Sequence, residues 1–520
     1  MYLERNQLTM KKRHRILILL TLIATFLLVY KPHLSYPMPY HIDEWHHISE
    51  SIRMGNYGEY FEILRLESAN KFSGLEMGFH FFLFLLSFVF NLVSVYQFMP
   101  ALWASLSALV LFYVVYKKTN RNFLVAWLSM IFFISIRSNV NLTGLWFFTP
   151  LTFAIPLIFL YTYFFTEGIE KQNKTNILIS LGIMLLLIPT HSISVLFIIP
   201  TFIIYLLIHY KYLLKEYLFF SLFLIIPITG ILFFKYTFDV GWNEVLPKMI
   251  KEMQFQHGWG ILEVRNSFTE VYSLMGYALA VIGLIFIATS RKLKKYSFYI
   301  IWPITAIVMM TIYRLTSISF FSPYQRNLYY LAIGLPMISA IGLYSIIKIV
   351  KPQIQKIIKS HEAGIFSAIK ISVNIDQQYT KILRTIAGGT TTIIIIVIAT
   401  VFSFANYYNL PPDLSLYKVI EPKHYEAIKF LSQYTPTKVM ATPFISTAIY
   451  PISGHDPVGT VVFYGDRRIV EAFFIGSDCR KKEAIVDEHS IGYIISPIFI
   501  GCNMQSIYEQ DGINIYKTNI

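Results

Sequence analysis

Long apolar runs recur down this chain more densely than a soluble core could absorb. A membrane-spanning helix takes roughly 20 apolar residues. Runs near that length stand at 16–30, 98–116, 122–136, 146–166, 177–189, 193–209, 217–234, 270–290, 297–313, 327–347 and 386–404, or about eleven crossings. Only 14% of the 520 residues are charged, against about 25% in an ordinary soluble domain. The fold class expected is a polytopic α-helical membrane protein.

Orientation follows from charge. Lys11-Lys12-Arg13-His14-Arg15 precedes the first run, which places the N-terminus in the cytoplasm and the polar loop 31–77 outside. Within that loop, 59–69 alternates apolar and charged residues like a helix lying in the interface. The run from Gly78 to Leu92 has 15 residues, short for a crossing. Read as non-crossing, it leaves the basic stretches 117–121, 209–216, 291–295 and 348–384 all inside; read as crossing, it puts them all outside. The first reading is adopted, giving a multi-pass plasma-membrane protein. The net charge of +14 then belongs to cytoplasmic loops rather than to a nucleic-acid surface. No small-residue cleavage site follows the first run, so a removed signal peptide is not expected.

From about residue 406 charge and turn residues return and no spanning run follows. The division expected is a membrane module over 1–405 and an extracytoplasmic α/β domain over 406–520. Helices are expected near 424–433 and 481–488, and strands at 438–442, 491–496 and 513–517. Cys479 and Cys502, the only cysteines, lie in this region, where a disulfide is open to them.

Chemistry gathers in the first outside loop, in Pro39-Tyr40-His41-Ile42-Asp43-Glu44-Trp45-His46-His47. If the segment from Asp43 is helical, Asp43, His46 or His47, and Glu50 share a face. Such a face offers carboxylates and imidazoles to one point, for proton transfer or for a divalent metal held by Asp43, His46 and His47, with His41 and Glu44 in reserve. The plainer alternative is a helix N-cap made by Asp43 at the membrane surface.

Other candidates stand on the same outer side. Arg326, in Pro323-Tyr324-Gln325-Arg326-Asn327, opens a helix, and a guanidinium beside a helix N-terminus suits a phosphate; the alternative is an arginine reaching for headgroups. Arg314 lies at the far end of that loop. His191, in Pro189-Thr190-His191-Ser192, sits in a tight turn between two apolar runs, as a functional group or as a cap. Arg137 and the loop residues Asp239, Trp242, Glu244, His257, Trp259 and Glu263 carry weaker signals. No phosphate-cradling glycine loop, nucleophile elbow or HExxH motif is found, so no nucleotide cofactor is expected.

A basic cytoplasmic start, one span, Asp43-Glu44 opening an outside loop, and a helix ending in Arg53-Met54-Gly55-Asn56-Tyr57 resemble the GT-C class of membrane glycosyltransferases. That class includes protein O-mannosyltransferases, the aminoarabinose transferase of lipid A and the catalytic subunit of oligosaccharyltransferase. Tyr425-Glu426-Ala427-Ile428-Lys429-Phe430-Leu431, through Thr435-Pro436 to Lys438-Val439-Met440-Ala441, is similar to the start of the outside domain in many members. The resemblance implies an inverting transfer of a sugar from a polyprenyl phosphate to an extracytoplasmic acceptor, whether glycan, lipid or protein. It assigns Asp43, with Glu44, to the reacting sugar and acceptor, and Arg326 to the donor phosphate; Arg314 is the second phosphate candidate by its place in the loop, and His47, Glu50, His191 and Arg137 are expected in supporting roles. Metal-dependent members carry a second acidic motif, whereas 137–146 here offers Asn139 and Asn141 and no carboxylate. The tryptophan-aspartate signature of oligosaccharyltransferase is missing too, so transfer to asparagine is not the first reading. A polysaccharide polymerase or ligase, relying on His191 and Arg314, is one alternative. A transporter or flippase of lipid-linked sugars is the other, although polar groups gathered at one surface fit poorly with midplane binding.

Overall fold

The computed structural model describes residues 10–55, 58, 76–138, 144–255, 268–368, 377–404, 418–461, 465–502 and 504–518. The expected interfacial helix at 59–69 lies outside the described residues, as do Asn139, Asn141, His257, Trp259 and Glu263.

The chain opens with α1 (Lys12–Tyr30), α2 (Ile42–Arg53), α3 (Met77–Ser87), α4 (Met99–Lys118), α5 (Phe123–Ile134), α6 (Pro150–Lys171) and α7 (Lys174–Ile208). It continues through α8 (Ile225–Phe238), α9 (Leu274–Thr289), α10 (Leu293–Thr316), α11 (Tyr324–Gly334), α12 (Pro336–Ala368) and α13 (Gln377–Phe404). Seven helical segments among the described residues are long and apolar enough to cross a membrane: Lys12–Leu34, Met99–Lys118, Pro150–Lys171, Lys174–Ile208, Tyr217–Tyr236, Leu293–Thr316 and Tyr324–Lys356. Four apolar helices are shorter: Met77–Ser87, Phe123–Ile134, Leu274–Thr289 and Gly389–Phe404. Of the runs expected to cross, those at 122–136 and 270–290 fall on helices of 12 and 16 residues, while 386–404 lies wholly within α13. α3, at about 16 Å for its 11 residues, covers roughly half a hydrocarbon core of about 30 Å.

α7 is a hairpin rather than a rod. Its single non-helical residue is His191, at φ −160 and ψ 82, two positions after Pro189. Ile177 near its start packs on Gly168, and the Tyr205 hydroxyl near its end reaches Glu170 at 3.4 Å. A straight helix would hold residues 177 and 205 about 42 Å apart. Both arms thus run beside α6, with the reversal at His191, where the sequence places a turn.

The two ends of the bundle differ in chemistry. At the end away from His191, the fully buried Lys118 bonds both oxygens of Glu170 at 2.7 Å, while Lys171 pairs with Glu167 and Lys174 with Glu216. Asp43, His191 and Arg326 are gathered at the other end. Between them, α9 and α12 meet backbone to backbone: a Cβ on Gly283 would strike the Ile338 carbonyl, and one on Gly342 the Leu279 carbonyl. Small residues at the contact allow this approach where lipid offers no hydrophobic drive.

After the bundle come α14 (Pro422–Leu431), α15 (Pro443–Ser453), α16 (Arg467–Ile475) and α17 (Cys479–His489). Strands β1 (Gln254–Phe255) and β2 (Ser319–Phe320) form a small antiparallel pair within the bundle's loops. The C-terminal sheet comprises β3 (Lys438–Met440), β4 (Asp456–Pro457), β5 (Ile491–Ser496), β6 (Gln505–Gln510) and β7 (Ile513–Lys517), in the order β4-β3-β5-β7-β6. β3 is parallel to β4 and β5, and the remaining pairs are antiparallel. Cys479 and Cys502 form a disulfide with Cα atoms 5.3 Å apart. The expected elements near 424–433, 438–442, 481–488, 491–496 and 513–517 are all present; α15, α16, β4 and β6 are additional.

Candidate functional site

α2 begins by capping itself. The His41 ring accepts the Asp43 amide at 3.1 Å, and Glu44 reaches back to the His41 amide at 3.0 Å and the Tyr40 amide at 2.8 Å through Oε2. The cap is therefore His41 with Glu44, a capping box, and not Asp43. The other oxygen of Glu44 accepts the Phe148 amide at 2.7 Å, tying α2 to the start of α6. Glu44 is 0% exposed and both of its oxygens are taken by backbone.

Asp43 is placed differently. Its side chain is 35% exposed, and Oδ2 lies 3.3 Å from His41 Nδ1. That nitrogen accepts the Asp43 amide when neutral or donates to the carboxylate when protonated. Burial works against the charge on Asp43, but His41, then His47 and His46, outweigh it and hold the carboxyl below its ordinary value. Burial likewise opposes protonation of His41, and Asp43 and Glu44 reverse that. Burial pushes Glu44 up to about 7 against its backbone donors. Of the adjacent pair, Asp43 is the ionised and accessible carboxylate.

The shared face expected for α2 splits. Asp43 and His46 lie on its half-open side, while His47 and Glu50 turn inward and are buried. His47 meets two residues that the sequence reading did not single out. Its Nδ1 lies 3.0 Å from His80 Nε2 and 3.7 Å from Glu76 Oε2. Glu76, the N-cap of α3, and His80 are separated by one helical turn on α3. One ligand atom from each of His47, Glu76 and His80 lies within 4.8 Å of the others. Burial lowers His47 to about 3 and raises Glu76 to about 8, the latter also under the charge of Asp43. The signal was Glu-x-x-x-His spacing at the edge of an apolar run, visible as ligands only once α3 lies against α2. Asp43 and His46 are not in this trio.

α3 is held there by a close contact, since a Cβ on Gly78 would lie 2.9 Å from Thr190 Oγ1 and 3.2 Å from the Pro189 carbonyl carbon. The α7 reversal therefore packs on the trio's helix. His191 Nδ1 bonds Ser194 Oγ at 2.7 Å, which in turn bonds the Tyr330 hydroxyl at 2.7 Å. Tyr330 sits one turn after Arg326 on α11. Arg326 itself is 8% exposed, in the first turn of α11, and its charge acts on Glu76 and His41. The turn before it is fixed by Asn327, whose Nδ2 donates to Ser319 Oγ and to the Ser322 carbonyl, each at 3.2 Å, and whose Oδ1 accepts from Ser322 Oγ. Arg314 is exposed at the end of α10 and donates to the Tyr324 hydroxyl at 2.6 and 3.0 Å. Arg137 stands apart, its amide bonded to the Val271 carbonyl at 2.9 Å.

Beside this cluster opens an apolar cavity of about 400 Å³, walled by both arms of α7 and by α8. Ile188 and Ser192, on either side of His191, line it together with Phe321, Phe202 and Phe223. Arg326, the half-open Asp43 and this apolar cavity thus all lie toward the end of the bundle that holds the α7 turn.

No family model matches the chain, and no curated protein matches it. Solved structures do, among them several of an Archaeoglobus fulgidus oligosaccharyltransferase. The form in complex with Zn and sulfate aligns at a TM-score of 0.54 and 10% identity, over 92% of this chain and 67% of that one. The same enzyme, AglB, in complex with an inhibitory peptide and a dolichol-phosphate aligns at 0.49 and 9%, over 93% and 69%. A form tethered to an acceptor peptide aligns at 0.46 and 10%, over 94% and 69%. The fold of this chain is that of a GT-C-class oligosaccharyltransferase.

Proposed function

We propose that this protein is an inverting glycosyltransferase that moves a sugar from a polyprenyl-phosphate carrier to an acceptor hydroxyl outside the membrane. The observation that carries this reading is that Asp43, half-open, and Arg326, in the first turn of a helix, both act on Glu76, whose helix packs on the α7 turn where Ile188 and Ser192 line an apolar cavity. A lipid phosphate needs just those three surroundings: a channel for its tail, a guanidinium with free helix amides for its oxyanion, and a polar side for the sugar. In this reading both arms of α7 and the shorter helices α5, α9 and α13 cross the membrane, α3 does not, and residues 406–520 form the outside domain.

The chemistry runs through this chain's own groups. The acceptor oxygen attacks C1 from the side opposite the phosphate, the C1–O bond to acceptor forms, and the C1–O bond to phosphate breaks, which inverts C1. Charge develops on the leaving phosphate, and Arg326 with the first-turn amides of α11 stabilises it in a site poor in water. Asp43, held below the usual carboxylate range, is a weak base. It orients the hydroxyl, opposes the positive charge building at C1, and takes the proton late, as in other oxocarbenium-like displacements. Glu44 fastens α2 instead of reacting. His191 holds the α7 turn through Ser194, and Arg314 holds Tyr324, which weighs against the polymerase or ligase alternative.

A divalent metal fits His47, Glu76 and His80, since two imidazoles and a carboxylate with neighbouring ligand atoms are a donor set for zinc or manganese. Bound there, it would supply Lewis acidity toward oxygen ligands beside Asp43. The test is a transfer assay with membranes bearing the full chain, a polyprenyl-phosphate sugar labelled in the sugar, and extracted surface glycans as acceptor. Label should pass to the acceptor with the wild type and stay on the lipid with Asp43→Asn and Arg326→Ala. Transfer undiminished in both variants would sink the reading.

A further inference from the structure

At the end of the bundle opposite Asp43, the turns that follow α7 and α9 enclose a second cavity, of about 670 Å³. Lys211, Arg291, Lys292, Lys294 and Lys295 line it. Among the described residues the first four have no ion-pair partner, and Lys295 donates to Asn120 Oδ1 at 2.8 Å. The carboxylate in its wall, Glu170, is already engaged by Lys118 and by Tyr205. His209 and Tyr212 also stand in the wall, with His209 Nε2 and the Tyr212 hydroxyl buried behind it without a hydrogen-bond partner. Buried polar groups of this kind are costly unless something meets them. Arg291 stands at φ 54, in the left-handed region, so the turn that presents it is held at some backbone expense. Leu207, Ile208, Tyr210 and Leu293 expose large apolar surface around the same opening.

We infer that this cavity binds a phosphate-bearing anion, namely the headgroup of an acidic phospholipid in the leaflet opposite the Asp43 site. Cations without ion-pair partners gathered around one opening call for an oxyanion, and basic pockets between membrane helices meet lipid headgroups in this way. The cavity is larger than an inorganic phosphate fills, and the apolar rim suits acyl chains.

The experiment uses the purified full chain in detergent, stripped of lipid. Phosphatidylglycerol, phosphatidylcholine or inorganic phosphate is then titrated, with binding read by native mass spectrometry and thermal unfolding. The wild type is expected to bind phosphatidylglycerol over phosphatidylcholine. The triple variant Lys211→Ala, Arg291→Ala, Lys294→Ala should lose at least about tenfold in affinity. Lys292→Ala, a single wall cation, should weaken binding to a lesser degree, and Lys348→Ala with Lys351→Ala, exposed lysines elsewhere, should not. Equal phosphatidylglycerol binding by wild type and triple variant would overturn the site. An equal loss in the Lys348→Ala, Lys351→Ala variant would overturn the cavity in favour of diffuse surface charge. Stabilisation by inorganic phosphate equal to that by the lipid would overturn the lipid as its source.

Discussion

Arg53 and Asp456 form an ion pair 2.7 Å apart, and the guanidinium also lies 3.6 Å from the centre of the Tyr450 ring. Arg53 ends α2, whose first turn carries Asp43, so the helix that presents the carboxylate is anchored to the C-terminal region at its other end. Arg53→Ala should cost about 2–4 kcal/mol through the lost cation–π and ion-pair contacts and the space left behind. Thermal unfolding of the purified protein would measure it. Asp456, 46% exposed on its side chain, should cost less when changed to Asn.

Asp43 and Glu44 are neighbours with opposite expectations. Asp43→Asn should lower turnover by roughly 10²–10⁴-fold with the unfolding temperature little changed. Glu44→Gln should lower the unfolding temperature first, because it disturbs three backbone acceptances. Initial rates and unfolding curves for the same two preparations would separate the roles.

The pH dependence of Glu44 has a definite sign. Burial raises its folded pKa from the ordinary 4.5 to about 7, so the folded state holds the proton more tightly than the unfolded one. Its contribution to stability is full below about pH 4.5 and is lost as pH rises through 7. Relative to Glu44→Gln, whose side chain does not titrate, the wild type should therefore lose stability between about pH 5 and pH 8. A gap between the two unfolding temperatures that stays constant across that range would contradict it.

Removing any of His47, Glu76 and His80 should weaken zinc binding by more than about a hundredfold, whereas Asp43→Asn should retain it. Equilibrium dialysis with elemental analysis reads this without any turnover. Zinc retained by His80→Ala would place the ion elsewhere.

Gly283→Leu should be among the most disruptive single changes in the bundle, since even a Cβ meets the Ile338 carbonyl. The expected loss is about 3 kcal/mol or more, beyond the usual range for overpacking because backbone must move. Yield of monodisperse protein after detergent extraction would report it, with Gly182→Leu, where nothing lies within 4 Å of an added Cβ, as the tolerant control.

The membrane runs, the turn at His191 and the strands at 491–496 and 513–517 were legible because hydrophobic period and turn residues are local properties. Asp43 stood out because carboxylates are scarce at a membrane surface. What distinguishes it from Glu44 was hidden, since the deciding donor is the Phe148 amide, far along the chain. Glu76 and His80 were overlooked for a related reason: one lies just before an apolar run and the other within it. Neither has meaning until α3 meets His47. Arg53 and Asp456 likewise become partners only when distant parts of the chain come together.

On the proposed function, the reversal at His191 would make two properties of a lipid donor inseparable. Ser192, Val195 and Leu196 line the channel, while Ser194, between them, carries the hydrogen bond toward Tyr330 and the helix of Arg326. On the proposed function, a tail lodged in this cavity would press on the very strip of chain that steadies the phosphate end. Carrier length and headgroup grip would then not vary independently, and a short-tailed donor would be a poorer substrate for more reasons than its solubility.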